Sequence, residues 1–180
     1  MRRRIFIAIN LPENLKKRLR EYQEKWIHLD PKFIRWTRSS NLHITLSFLG
    51  YLSDDETYEI CEIVKKAVKK HEPFNLIFQR IVLGPPNKKP RMFWLAGIEN
   101  KEFSDLQKSL NEAIAGIHVK TSLVRPHITL ARFNSGLLEF LPELVSEEFK
   151  TQFSVDSIQI MQSNLKRSGA EYSVLESIEL

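Results

Sequence analysis

The chain of 180 residues holds a single cysteine, Cys61, which excludes an internal disulfide and any cysteine-built metal cluster. It has no glycine-rich P-loop pattern, so ATP or GTP use through that motif is excluded. No glycine-flanked serine or obvious cysteine nucleophile is present, which disfavours a catalytic triad. Zinc needs at least three ligands, and neither His43 nor His127 has an acidic or cysteine companion at ligand spacing. No apolar run is long enough to span a bilayer. The stretch from Ile5 to Ile9, after Arg2-Arg3-Arg4, is too short for a signal-peptide core. A reducing cytoplasm is the expected location. Low-complexity segments and long linkers are missing too, and the length favours one domain over residues 1–180, although a duplicated two-lobed unit also fits.

What is present is an ordinary globular composition, 42% hydrophobic and 27% charged, with a net charge of +5. The basic balance favours a polyanionic partner such as nucleic acid or a phosphate-bearing ligand. The tetrapeptide His-Ile-Thr-Leu occurs twice, at His43–Leu46 and at His127–Leu130, the copies starting 84 residues apart (127 − 43). Each copy falls on an expected strand preceded by an expected helix. The spacing suggests two similar α+β lobes, each lending one strand to a shared cleft.

Around these copies the pattern predicts strands at Arg4–Ile9, Ile34–Trp36, Asn41–Leu49, Phe74–Leu83, Met92–Ile98, Arg125–Phe133, Phe153–Gln162 and Glu171–Ile178. Asn10 is the expected cap of a first helix with Pro12 in its first turn. Leu15, Leu19, Tyr22 and Trp26 would face inward there, leaving Lys16, Lys17, Arg18 and Arg20 solvated. Ser53 and Glu56 form a capping box for a second helix, whose inner stripe is Ile60, Ile63, Val64, Ala67 and Val68. A third begins near Glu102, buries Phe103, Leu106, Leu110 and Ile114, and stops at Gly116. Residues 136–148 are ambiguous, readable as a short helix interrupted by Pro142.

Alternation places His43, Thr45 and Ser47 on one strand face, and His127 with Thr129 on the matching face of the other. Histidine, with an unperturbed pKa near 6.5, both accepts and donates protons at neutral pH. In-line hydrolysis of a phosphodiester needs a base on the entering water and an acid on the leaving oxygen, and two opposed imidazoles supply them. Threonine hydroxyls two positions on can hydrogen-bond the non-bridging oxygens, their χ1 stiffened by the β-branch. His28, His71 and His118 read as surface or helix-terminal residues.

With these residues the chain resembles the 2H phosphoesterase superfamily, defined by two H-x-T/S motifs, and within it the RNA 2′,3′-cyclic phosphodiesterases, also described as 2′-5′ RNA ligases. The resemblance rests on residues 2–9, Ile34-Arg35-Trp36 ahead of residues 41–50, residues 125–132, residues 161–165, and the closing Gly169, Tyr172, Val174 and Leu175. It implies a bilobal α+β fold: two pseudo-symmetric lobes whose antiparallel sheets line a central cleft, with helices outside. The implied chemistry is hydrolysis of an RNA 2′,3′-cyclic phosphate end, tRNA fragments included, to a 2′-phosphomonoester by a monomer without metal, cofactor or membrane. His43 would be the proton donor and His127 the proton acceptor, with Thr45 and Thr129 on phosphate oxygens. Arg132 matches the arginine that follows the second motif in many family members. Strict alternation puts it on the apolar face, so binding phosphate would require a bulge or twist.

By the same parity Phe48 is expected in the core. Arg2–Arg4, Lys65–Lys70, Lys88–Arg91 and Lys166-Arg167 are candidates for a phosphate-tracking rim, with the Lys88-Lys89 loop foremost. Two other readings stay open: ATP-independent 2′-5′ joining of RNA ends by the same histidines, and a non-catalytic RNA- or nucleotide-binding module.

Overall fold

A computed structural model describes residues 2–26, 28–29, 31–86, 88–115, 123–134, 136, 145–166 and 169–180. Strand β1 (Arg3–Asn10) buries five consecutive residues, Ile5 to Ile9, because it is an inner strand covered on both faces. Ile5, Ile7 and Ile9 enter the main core, while Phe6 and Ala8 pack with Met161 on the other face, the division that alternation predicts. β1 lies between β3 (His43–Leu52) and β8 (Ser157–Lys166), and β9 (Gly169–Glu179) completes the sheet order β3-β1-β8-β9. A second sheet has the order β2-β6-β5-β4-β7, from β2 (Ile34–Trp36), β6 (His127–Phe133), β5 (Met92–Gly97), β4 (Phe74–Gly84) and β7 (Ser146–Val155). All neighbouring strands in both sheets are antiparallel. The protein is thus α+β with two antiparallel sheets, and each sheet holds one copy of the tetrapeptide.

Two of the helices, α1 and α3, cross between the sheets. α1 (Glu13–Glu24) follows β1 but packs on the second sheet, where Tyr22 donates to Glu147 of β7 at 3.0 Å and meets Phe149 edge-on. α3 (Lys101–Ala113) follows β5 but reaches the first sheet, its buried Gln107 donating to the Leu46 carbonyl of β3. α2 (Asp54–Val68) begins with the expected Ser53–Glu56 capping box, both halves formed. Among the described residues no helix is long and apolar enough to cross a membrane.

Several local expectations are corrected. Asn10 does not cap α1: Pro12 is the N-cap residue, and the Asn10 amide oxygen accepts instead from Leu11 N–H. Lys16 is buried, lying along α1 with Nζ 2.8 Å from Glu13; a long stem can cover apolar surface while its head keeps a partner. A strand expected over Phe153–Gln162 is two strands broken at Asp156, where the chain leaves the second sheet for the first. Of β7 only Phe153–Val155 lies in an expected strand; ahead of it exposed Glu148, Lys150 and Gln152 alternate with half-buried Phe149 and Thr151, and with a single apolar residue among these five the pattern gives little signal. Gly116, His118, Pro142 and Arg167 lie outside the described residues, as does most of the ambiguous 136–148 stretch.

Candidate active site

His43 and His127 open β3 and β6, and the two strands then show one burial sequence. A half-buried histidine is followed by a buried isoleucine, a half-buried threonine and a buried leucine. Alternation fails at the next residue: Ser47 and Ala131 are also buried, and Phe48 and Arg132 turn outward. The cause is a β-bulge at the same place in each strand. Thr45 is paired with Ala8 and Ser47 with Ile7, leaving Leu46 over; Thr129 is paired with Trp94 and Ala131 with Phe93, leaving Leu130 over. One extra residue reverses the facing of the residues that follow it, in β3 as far as a second irregularity at Leu49.

One expectation falls with the parity: Phe48 is 51% exposed rather than in the core. Ser47 is buried, yet it borders the same cavity as His43 and Thr45. The bulge also supplies the twist that Arg132 needed to face the cleft.

Between the sheets lies a cavity of ≈ 780 Å³ whose walls include His43, Thr45 and Phe48 from β3 and His127, Thr129 and Arg132 from β6. All five residues singled out from the sequence therefore share one space. Arg4 and Arg35 join Arg132 there, and among the described residues no carboxylate or thiol lines it. Such a wall attracts anions. Of the other basic clusters, Arg2 and Arg3 pair with Glu56 and Asp54, Lys65 with Glu62 and Glu176, and Lys166 with Glu171. Lys88 and Lys89 are exposed but do not line the cavity. His28 is an exposed residue beside Trp26, and His71 stands away from the cavity.

Both imidazoles are held the same way. His43 Nδ1 is 2.6 Å from the Asn41 carbonyl and His127 Nδ1 is 2.9 Å from the Arg125 carbonyl, each two residues upstream. A carbonyl only accepts, so each Nδ1 carries the proton and the neutral ring presents Nε2 as the basic atom. The Thr45 hydroxyl lies 3.0 Å from His43 Nε2 and donates to it in this tautomer. Aromatic rings fix the ring planes: Trp94 lies 4.0 Å from His127 between centroids, while Phe6 and Tyr172 flank His43 at 5.1 and 5.3 Å.

Burial pushes both histidines below the ordinary 6.5. The carbonyl bonds oppose that shift, whereas the Arg132 guanidinium adds to it for both rings and His127 adds to it for His43. The last effect places the two rings within electrostatic reach of one another. The arrangement can hold an anion between two imidazoles, with hydroxyls and a guanidinium around its oxygens.

Sequence reasoning missed the aromatic supports Phe6 and Trp94 and did not place Arg35 in the cleft; Arg4, offered as part of a basic rim, does line it. Arg35 is opposite Arg132 in the β2–β6 pairing, a neighbour relation that exists only once the strands are assembled. Arg35 and Tyr172 did lie in the stretches that carry the family resemblance.

Comparison with known proteins agrees with this geometry. A family model described as LigT-like phosphoesterase matches residues 9–94. The RNA 2′,3′-cyclic phosphodiesterase of Thermotoga maritima is 30% identical over 178 residues, covering 96% of this chain and 92% of the relative. That of Methanothermobacter thermautotrophicus is 29% identical over 188 residues, covering both chains fully. Among solved structures, a Thermus thermophilus protein superposes with a TM-score of 0.82 at 25% identity, over 98% of this chain and 97% of the other. Escherichia coli LigT complexed with 3′-AMP shares the fold with a TM-score of 0.81 at 23% identity, over 100% and 99%. Full-length similarity, the matching fold and the doubled motif agree: the chain belongs to the RNA 2′,3′-cyclic phosphodiesterase family of LigT-like phosphoesterases.

Proposed function

We propose that this protein hydrolyses RNA 2′,3′-cyclic phosphate ends to 2′-phosphomonoesters, as one bilobal domain acting as a monomer without a metal ion. The observation that carries this reading is the pair of imidazoles in one cleft, each with Nδ1 tied to a backbone carbonyl and Nε2 left for the reaction. The names of the relatives support the substrate class.

In the reaction His127 Nε2 takes a proton from the attacking water as the new P–O bond forms. The P–O3′ bond breaks, and the departing 3′ oxygen takes its proton from His43. The product has a 2′-phosphate and a free 3′-hydroxyl, and the two histidines exchange protonation states. Thr45, Thr129 and Arg132 hold the non-bridging oxygens, where charge grows in the transition state. An anionic diester between the rings counters the repulsion from Arg132, so substrate binding raises the pKa of His43 and keeps the acid protonated. Arg4 and Arg35 extend the cationic wall toward the rest of an RNA strand. Released tRNA fragments in a reducing cytoplasm are a suitable substrate pool, in keeping with the free, buried Cys61.

The test is hydrolysis of an oligonucleotide ending in a 2′,3′-cyclic phosphate, in EDTA, by wild type and by His43→Ala and His127→Ala. Each substitution should cost about 10²–10⁴-fold, the usual contribution of one general acid or base. Near-wild-type turnover by either variant, or salt-sensitive RNA binding without turnover, would overturn the reading.

A further inference from the structure

At each bulge a glutamine from a helix reaches the carbonyl of the extra leucine; that of Leu130 also accepts from Thr37 N–H at 2.8 Å. Gln23, in the last turn of α1, donates through Nε2 to the Leu130 carbonyl at 3.1 Å and to the Thr37 carbonyl at 2.9 Å. Gln107 of α3 donates through Nε2 to the Leu46 carbonyl at 3.2 Å, and its Oε1 accepts from Val124 N–H at 3.2 Å. The glutamines are 84 positions apart (107 − 23), the spacing of the histidines and of the bulged leucines. The pair therefore belongs to the same internal repeat as the motifs, although nothing in the strand sequences marks it.

The partners are reciprocal. Gln23 ties the bulge of the second motif, at Leu130, to Thr37 on the segment leading into His43. Gln107 ties the bulge of the first motif, at Leu46, to Val124 on the segment leading into His127. Gln107 thus joins β3 of the first sheet to the segment that enters β6 of the second, whereas Gln23 braces Leu130 against Thr37, which follows β2 beside β6 in the second sheet and continues toward His43. Gln107 is 1% exposed, so its bonds face little competition from water. Gln23 meets two carbonyls, which a nitrogen carrying two or more N–H donors can satisfy together.

We propose that Gln23 and Gln107 are positioning residues that lock the two bulges and thereby set the opposition of His43 and His127. Neither amide lies on the cleft wall, so neither touches substrate; each acts through the backbone that carries a histidine. This rests on the cyclic phosphodiesterase reading for its activity measurements, though not for its titration measurements. Small displacements of acid–base groups are costly, on the order of 10²-fold for 1 Å, so loosening one bulge should lower kcat and leave KM little changed.

The experiment compares Gln23→Met, Gln23→Lys and Gln107→Met by thermal melting, by kcat and KM on a 2′,3′-cyclic phosphate oligonucleotide, and by NMR titration of both histidines. Methionine keeps the length and removes the hydrogen bonds; lysine at 23 restores a donor that can serve both carbonyls. Folded Gln23→Met should lose about tenfold or more in kcat, with KM within about twofold. Both histidine pKa values should move toward 6.5 as the cleft loosens, and Gln23→Lys should recover most of the loss. Gln107→Met should behave alike; if its buried site does not tolerate the change, the Gln23 pair decides the matter alone.

The proposal is overturned if Gln23→Met folds with wild-type kcat and titrations, if only one histidine responds, or if lysine fails to rescue. A wild-type protein with no cyclic phosphate turnover sinks the functional reading instead, and the titrations of both histidines still decide the role of the glutamines.

Discussion

Trp94 lies against His127 with ring centroids 4.0 Å apart and planes inclined by 31°, and the space for its indole exists because residue 84 is glycine. A methyl group at Gly84 would overlap the Trp94 ring, so a residue on β4 governs the seat of a histidine on β6 through the β5 side chain between them.

Gly84→Ala should therefore displace Trp94 and weaken turnover while sparing the fold. Trp94→Leu should remove the support directly. Both are expected to lower kcat by roughly 10²-fold, the scale of an ångström-sized misplacement of a catalytic group. Steady-state kinetics beside a thermal melt will separate this from unfolding: a lowered kcat at unchanged melting temperature supports the seat. Wild-type kcat in both variants would contradict it.

Thr45→Val and Thr129→Val keep the β-branched shape and remove only the hydroxyl. Loss of one donor to the transition-state oxygens should reduce kcat by up to about 10²–10³-fold. For Thr45 the change also removes the 3.0 Å contact with His43 Nε2. The two variants should then differ in their pH profiles: the profile shifts in Thr45→Val and stays in place in Thr129→Val. Rate–pH curves of both variants check this.

The pH dependence follows from the direction of the two histidine shifts. Burial and Arg132 lower both pKa values in the free protein, so at pH 7 both rings are mostly neutral. The productive form carries one proton on the pair. kcat/KM, which reports the free enzyme, should therefore peak below pH 6.5 and fall toward pH 8. The bound anion restores a proton to the acid, so the kcat optimum should lie at higher pH than that of kcat/KM. The two limbs describe the coupled pair rather than either residue alone. A kcat/KM maximum above pH 7.5 would contradict the assignment.

Arg132→Met should act in two ways with opposite signs. Removing the guanidinium weakens phosphate binding and raises KM. It also relieves the repulsion that lowers both histidines, so their pKa values should rise and the acidic limb of kcat/KM should move to higher pH. NMR titration of the histidines in the variant measures the second effect without substrate. An unchanged titration would show that Arg132 does not face the rings in solution.

Much of the fold was legible in the sequence because its cause is local. The inward isoleucines of β1, the Ser53–Glu56 capping box and the apolar stripes of the helices follow from side-chain periodicity and end chemistry. The doubled His-x-Thr marked the site for the same reason: three residues of alternation suffice to put histidine and threonine on one face. The first part of β7 was hidden, since its inward positions hold few apolar residues before Phe153. So were the bulges, because no residue type marks the point where an extra residue enters a strand.

The sequence by itself determined the chemical inventory: two imidazoles, two hydroxyls, an arginine, and an 84-residue repeat that places them in equivalent strands. Tertiary structure decided which way the later residues face. A register slip at Leu46 and Leu130 turns Phe48 and Arg132 into the cleft and leaves Ser47 buried at its wall. It also decided what holds the rings, through Trp94, Phe6, Tyr172 and two glutamines from helices that cross to the opposite sheet. Facing along one strand is a property of neighbouring residues, whereas register, ring support and lobe crossing are relations between segments far apart in the chain, and only packing fixes those.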